Sequence, residues 1–140
     1  MIAGFDELEI PVTRAPKTVL IIDHDLGFVF WLGQTLDAAG FAAVPARDVP
    51  NAVSIITEHH LAVEVVVLNA ALANAVPLIS ALREAHPICF VAVVGPDEER
   101  PGCLPGITTI RTKPLKFTSR YGREWVELIN TMLSGRVAAS

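Results

Sequence analysis

Apolar residues in this chain fall in short blocks, separated by polar, glycine- and proline-marked breaks. Thr18 to Ile22 is a run rich in β-branched residues, the signature of a strand buried on both faces. Val65 to Leu68 has the same character, and Ile88 to Val94 and Ile107 to Arg111 read likewise. Phe41 to Val44 supplies one further strand. Between these blocks the period lengthens to that of a helix. Asp25 is placed to cap a helix whose apolar positions Phe28, Leu32 and Leu36 recur at helical spacing, and Gly40 closes it. Asp48, with Pro50 in the first turn, starts a second helix carried by Val53 and Ile56 and ending near His59-His60. Asn74 and Pro77 open a third through Leu78, Leu82 and Arg83, stopped before Pro87. Thr118 or Ser119 caps the last, with Tyr121, Trp125, Leu128/Ile129 and Met132 on one face and Gly135 at its end.

Five strands separated by helices predict an open parallel sheet with helices on both faces. Functional groups in such sheets gather at the carboxyl ends of the strands. Between positions 96 and 106, three prolines and two glycines predict a loop with at most one turn of helix.

Length narrows the organisation. A chain of 140 residues fits one domain and no second. Residues 1–16, with Pro11 and Pro16, read as an N-terminal arm, 17–135 as the domain and 136–140 as a C-terminal tail. Apolar residues at 51% and charged residues at 19% exclude a disordered segment. Cys89 and Cys103 are too few for a disulfide scaffold and read as reduced thiols. The acidic start lacks the basic and apolar regions of a signal peptide. The longest apolar region, Leu61 to Leu82, is broken by Glu64, Asn69, Asn74 and Pro77, so no membrane span is expected and the cytoplasm is the expected location.

The net charge of −4 argues against general nucleic-acid binding. Charge is uneven, with Arg111, Lys113, Lys116, Arg120 and Arg123 holding five of the eleven bases. A solvated surface around the last helix explains that cluster better than nucleic acid does, and an acidic partner remains a second reading. The chain has no GxGxxG after the first strand, no GxxxxGK[ST] and no GxSxG, which removes dinucleotide, P-loop and hydrolase-elbow chemistry.

The strand ends carry the remaining candidate chemistry. The first ends in Asp23-His24-Asp25, the third in Asn69, the fourth in Gly95 and the fifth in Thr112-Lys113-Pro114. With "VLIIDHD", "VEVVVLN", "FVAVVG" and "RTKP" in this order and at these positions, residues 17–135 resemble the receiver domains of two-component response regulators. The resemblance implies a flavodoxin-like three-layer α/β sandwich with a five-stranded parallel sheet in the order 2-1-3-4-5. Its fourth-helix region is shortened, because the stretch from Gly95 to Ile107 is too short for the family's full helix. The loop after Asn69 also lacks the usual Pro and Gly.

Receivers accept a phosphoryl group on an aspartate ending the third strand, beside Mg²⁺ held by two acids of the first strand. A lysine of the fifth strand pairs with the phosphoryl group, and a hydroxyl and an aromatic residue switch with it. Carried over, Asp23 matches the first acid and Lys113-Pro114 the Lys-Pro pair. Asn69 stands at the phosphoacceptor position, where an amide cannot yield an acyl phosphate. His24 replaces the second acid, Gly95 lacks the switch hydroxyl, and Ile110 stands for the switch aromatic. The former metal pocket is thus Asp23, His24 and Asp25, with Mg²⁺ binding expected to be weak or absent and no cofactor implied.

The expected function is that of a pseudo-receiver: not an enzyme, but a signalling module acting on protein partners, a second copy of itself among them. Two alternatives are a pocket that binds a small molecule or a metal other than Mg²⁺, and a stand-alone enzyme using the same groups. Plainer roles weigh against both. Asp23 and Lys113 can persist as an ion pair, with Asn69 hydrogen-bonded to Lys113 and a loop amide. Asp25 can serve as a helix cap, and His59-His60 suits a helix C-terminus. Trp31 and Trp125 read as core.

Overall fold

A computed structural model describes residues 16–85, 88–95 and 107–139. In chain order the elements are β1 (Thr18–Ile22), α1 (Leu26–Ala38), β2 (Ala42–Ala46), α2 (Val49–His59), β3 (Val65–Asn69), α3 (Ala75–Ala85), β4 (Cys89–Val94), β5 (Thr109–Thr112) and α4 (Ser119–Ala139). All strand pairings are parallel, in the order β2-β1-β3-β4-β5. This is the expected flavodoxin-like order 2-1-3-4-5. The expected loop at 96–106, the N-terminal arm before Pro16 and Cys103 lie outside the described residues.

Successive strand residues face opposite sides of the sheet, which divides the core in two. Val19, Ile21, Val65, Val67, Val91 and Val93 meet Phe28, Leu32 and Leu36 of α1 and Trp125, Ile129 and Leu133 of α4. Leu20, Ile22, Val66, Leu68 and Phe90 meet Val49 and Ala52 of α2 and Leu78 and Ile79 of α3. The central strands are apolar at nearly every position because both faces are covered.

Caps fix the helix starts. Asp25 Oδ1 accepts from Phe28 N at 3.2 Å and Asp48 Oδ1 from Asn51 N at 2.8 Å. Thr118, rather than Ser119, caps α4, its hydroxyl oxygen accepting from Tyr121 N at 3.3 Å. Gly40 leaves α1 at φ +96°, a conformation that favours glycine. His60 caps α2 at φ 51°.

Several expected boundaries and faces shift. β2 begins one residue after Phe41 and continues through Pro45 to Ala46, because an edge strand tolerates proline on its unpaired side. β5 occupies Thr109–Thr112 rather than 107–111. Val53 is 46% exposed, since the Asp48 cap sets a phase in which Val49 and Ala52 point inward. Tyr121 is exposed on the flank of α4, whose buried stripe is Gly122, Trp125, Ile129 and Leu133. The same helix runs past Gly135 to Ala139; an internal glycine costs only about 1 kcal/mol and does not end an established helix.

Gly122 is the close-approach point between α1 and α4. A Cβ there would lie 2.9 Å from Thr35 Cγ2, and the Thr35 hydroxyl donates to Trp31 O at 2.8 Å, which holds that rotamer. Gly122→Val should therefore destabilise the protein by roughly 1–3 kcal/mol in urea unfolding. Thr35→Ala in the same chain should return part of the loss. Strict additivity of the two substitutions would contradict this packing.

Candidate functional site

Parallel topology leaves the ends of β1, β3 and β5 open on one side, and four polar side chains converge there. Asp23, one residue past β1, is 1% exposed. Burying a carboxylate this deeply requires partners on both oxygens. Its Oδ1 accepts from Asp25 N at 3.0 Å and from Asn69 Nδ2 at 3.2 Å. Its Oδ2 lies 2.8 Å from Lys113 Nζ, a charge contact without hydrogen-bond alignment. The ammonium therefore supplies all the compensation this oxygen has among the described residues.

Lys113 is itself enclosed. Nζ donates to Asp25 Oδ2 at 3.3 Å and sits 5.2 Å from the centre of the Phe28 ring, leaving its side chain 11% exposed. The other Asp25 oxygen is spent on the helix cap. Asn69 is anchored from the far side, where its Oδ1 accepts from Ala71 N at 2.8 Å. Both ends of the Asn69 amide are thus assigned, with the NH₂ group turned to Asp23.

The structure thus brings together Asp23, Asp25, Asn69 and Lys113 of the sequence-derived set. Asn69 bonds a loop amide as expected, but its second partner is Asp23 rather than Lys113, because its NH₂ group needs an acceptor, which the carboxylate offers and the ammonium does not. His24 is exposed and takes no part. Gly95 follows the end of β4, and Ile110 is half-buried opposite Ala92 in the β4–β5 register.

Among the described residues no three His, Cys, Asp or Glu side chains are grouped to hold a metal ion. At the expected Mg²⁺ position both Asp23 oxygens and both Asp25 oxygens are engaged by protein groups. This donor set does not fit a hard dication that needs several free oxygens.

Sequence reasoning missed two aromatic participants. Phe28 lies beneath the ammonium, and Phe117 stacks on Trp31 with centroids 5.1 Å apart. Phe28 also meets Trp125 edge-on at 5.9 Å, which links the site to the buried stripe of α4. The helical spacing from Asp25 marked Phe28 as core; nothing in the sequence marked it as a cation's neighbour. The basic cluster is not one patch either. Lys113 turns into the site, whereas Arg111, Lys116, Arg120 and Arg123 are exposed. A groove of about 600 Å³ between β5 and α4 is lined by Arg111, Lys113, Tyr121, Trp125 and Leu128.

No known family profile and no curated protein matches the sequence. Solved structures do match. A CheY-like response regulator receiver domain protein from Methanospirillum hungatei JF-1 superposes with a TM-score of 0.72 at 17% identity, covering 89% of this chain and 99% of that one. The signal receiver domain of an HD domain-containing protein from Pseudomonas fluorescens Pf-5 gives 0.69 at 16%, covering 94% and 96%. A response regulator receiver domain protein from Clostridium thermocellum gives 0.67 at 15%, covering 89% and 99%. The fold of this chain is the receiver-domain fold.

Lys113→Met removes the cation and leaves Asp23 charged, buried and unpaired. Such a break costs roughly 3 kcal/mol, so its urea midpoint should fall well below that of the unaltered protein. Adding Asp23→Asn should recover most of the loss. An unchanged midpoint for Lys113→Met would show that the pair carries no stability.

Proposed function

We propose that this chain, which has the fold used by receiver domains in two-component signalling, is a signalling module that works through protein–protein contact without phosphorylation or Mg²⁺. The observation that carries this reading is the hydrogen bond from the Asn69 amide to Asp23. An aspartate at this position would set two carboxylates about one hydrogen-bond length apart, and such a pair needs a bound cation or a proton. The amide turns that repulsion into an attraction, so the pocket is complete with Lys113 as its single cation. It also removes the nucleophile, since an amide oxygen cannot form a stable acyl phosphate.

The remaining polar capacity points the same way. A Mg²⁺ ion would have to displace Lys113 or the α1 cap to reach two carboxylate oxygens. At the switch positions, Gly95 has no hydroxyl to turn toward a phosphoryl group and Ile110 has no ring to flip. A domain built this way contributes surface rather than chemistry. Its partners on this reading are proteins of a bacterial signalling pathway, including another copy of the chain. No helix among the described residues is long and apolar enough to cross a membrane, in keeping with action in the cytoplasm.

The test is Asn69→Asp. The new carboxylate loses the bond to Asp23 and faces its charge, so the variant should be less stable than the unaltered protein by about 1–3 kcal/mol at pH 7. Crowding by Asp23 favours the protonated form of the new acid, so the deficit should shrink as the pH falls toward 4. Labelling by a small phosphodonor in the presence of Mg²⁺ should stay far below one phosphoryl group per chain. Stoichiometric, Mg²⁺-dependent labelling would overturn the proposal.

A further inference from the structure

An open parallel sheet ends in edge strands, and each edge offers a row of main-chain groups to any other strand. β2 is such an edge, standing at one end of the strand order and paired to β1. Ala42 N donates to Lys17 O at 2.9 Å, and Ala46 O accepts from Asp23 N at 3.0 Å. Main-chain groups alternate in direction along a strand, so Ala42, Val44 and Ala46 turn theirs to β1. Ala43, Pro45 and Arg47 turn theirs outward.

None of these three positions presents a donor. Asp37, in the last turn of α1, reaches the edge, and its Oδ1 accepts from Ala43 N at 3.2 Å. Pro45 has no N–H. Asn51, in the first turn of α2, accepts from Arg47 N through Oδ1 at 3.1 Å. A helix from each face of the sheet thus closes one donor, and proline removes the one between them. β2 itself carries none of the usual protection. Its residues, Ala42 to Ala46, include no charged side chain, and its register with β1 runs without a bulge.

We propose that Asp37, Pro45 and Asn51 together close the β2 edge to strand addition, so that neither a second copy nor an extended partner segment lengthens the sheet there. A strand laid against this edge finds no N–H for its own carbonyls and brings them against the Asp37 carboxylate. Main-chain groups are costly to bury unpaired. Partners that reach this flank of the molecule are left with side-chain contacts on α1 and α2. The closure does not depend on the state of the strand-end pocket, which lies at the strand ends and not along this edge.

The test is the full chain carrying Asp37→Ala, Pro45→Thr and Asn51→Ala. Alanine suits helix positions 37 and 51, and threonine suits a strand at 45, so far-UV circular dichroism should match that of the unaltered chain. In light scattering at rising concentration, the variant should reach twice the mass of the unaltered chain at the same concentration. Amides at positions 43, 45 and 47 should gain protection from hydrogen exchange as it does so. Asp37→Ala with Pro45→Thr, which opens two neighbouring donors, should associate in the same way. Pro45→Thr alone, with Asp37 and Asn51 in place, should keep the unaltered mass. Folded variants that hold the unaltered mass at every concentration would overturn the proposal, since Asp37 and Asn51 would then serve only their local turns. So would association that leaves the amides at 43, 45 and 47 exchanging freely.

Discussion

The carboxylate of Asp23 is the point on which the upper side of the sheet depends. It sits at the end of a central strand, walled in by α1 and the neighbouring strands, and it cannot reach water. Each of its partners comes from a different element: Asp25 N from the start of α1, the Asn69 amide from β3, and the Lys113 ammonium from the end of β5. The Asp23 backbone amide adds a fourth tie, donating to Ala46 O at the end of β2 at 3.0 Å. One residue thus joins β1, β2, β3, β5 and α1, its buried charge making every tie but the one to β2. The need to satisfy it explains why Lys113 is folded inward, away from the bases that follow it.

That arrangement also sets the chemistry. The two covered faces of the parallel sheet leave only the strand ends for polar groups, and here those groups satisfy one another. Lys113 is shared between two carboxylates and rests on the Phe28 ring, while Asn69 spans from Asp23 to the Ala71 amide. A pocket built to receive a metal and a phosphoryl group keeps acceptors free for them. This one is closed by its own side chains, and the open surface lies beside it, on the outward ridge of α1 and the aromatic pair Trp31 and Phe117.

Much of the fold is legible in the sequence because its causes are local. β1, β3 and β4 are continuous apolar runs, and Asp25, Asp48 and Gly40 stand where caps must stand. The strand-end positions of Asp23, Asn69 and Lys113 follow from those runs. What was not legible depends on tertiary contact. The inward phase of α2 puts Ala52 rather than Val53 in the core, and α4 buries Gly122 in preference to Tyr121 because its first turn crosses α1 at Thr35. The length of α4 escaped for a different reason, since a glycine that reads as a stop is only a small penalty inside a long helix. In the site, the residues were identifiable but the Asn69 partner was not, because sequence separation says nothing of which carboxylate oxygen faces an amide.

The central claim is that the strand-end pocket is already complete. An amide NMR titration of the unaltered protein tests it most directly, first with Mg²⁺ and then with Mg²⁺ and beryllofluoride, a mimic of a phosphoryl group. The account predicts no saturable change at Asp23, Asn69 or Lys113 in either step. Saturable shifts that begin at those residues and spread along β5 into α4 would contradict it, and would mean that the pocket still binds and still switches.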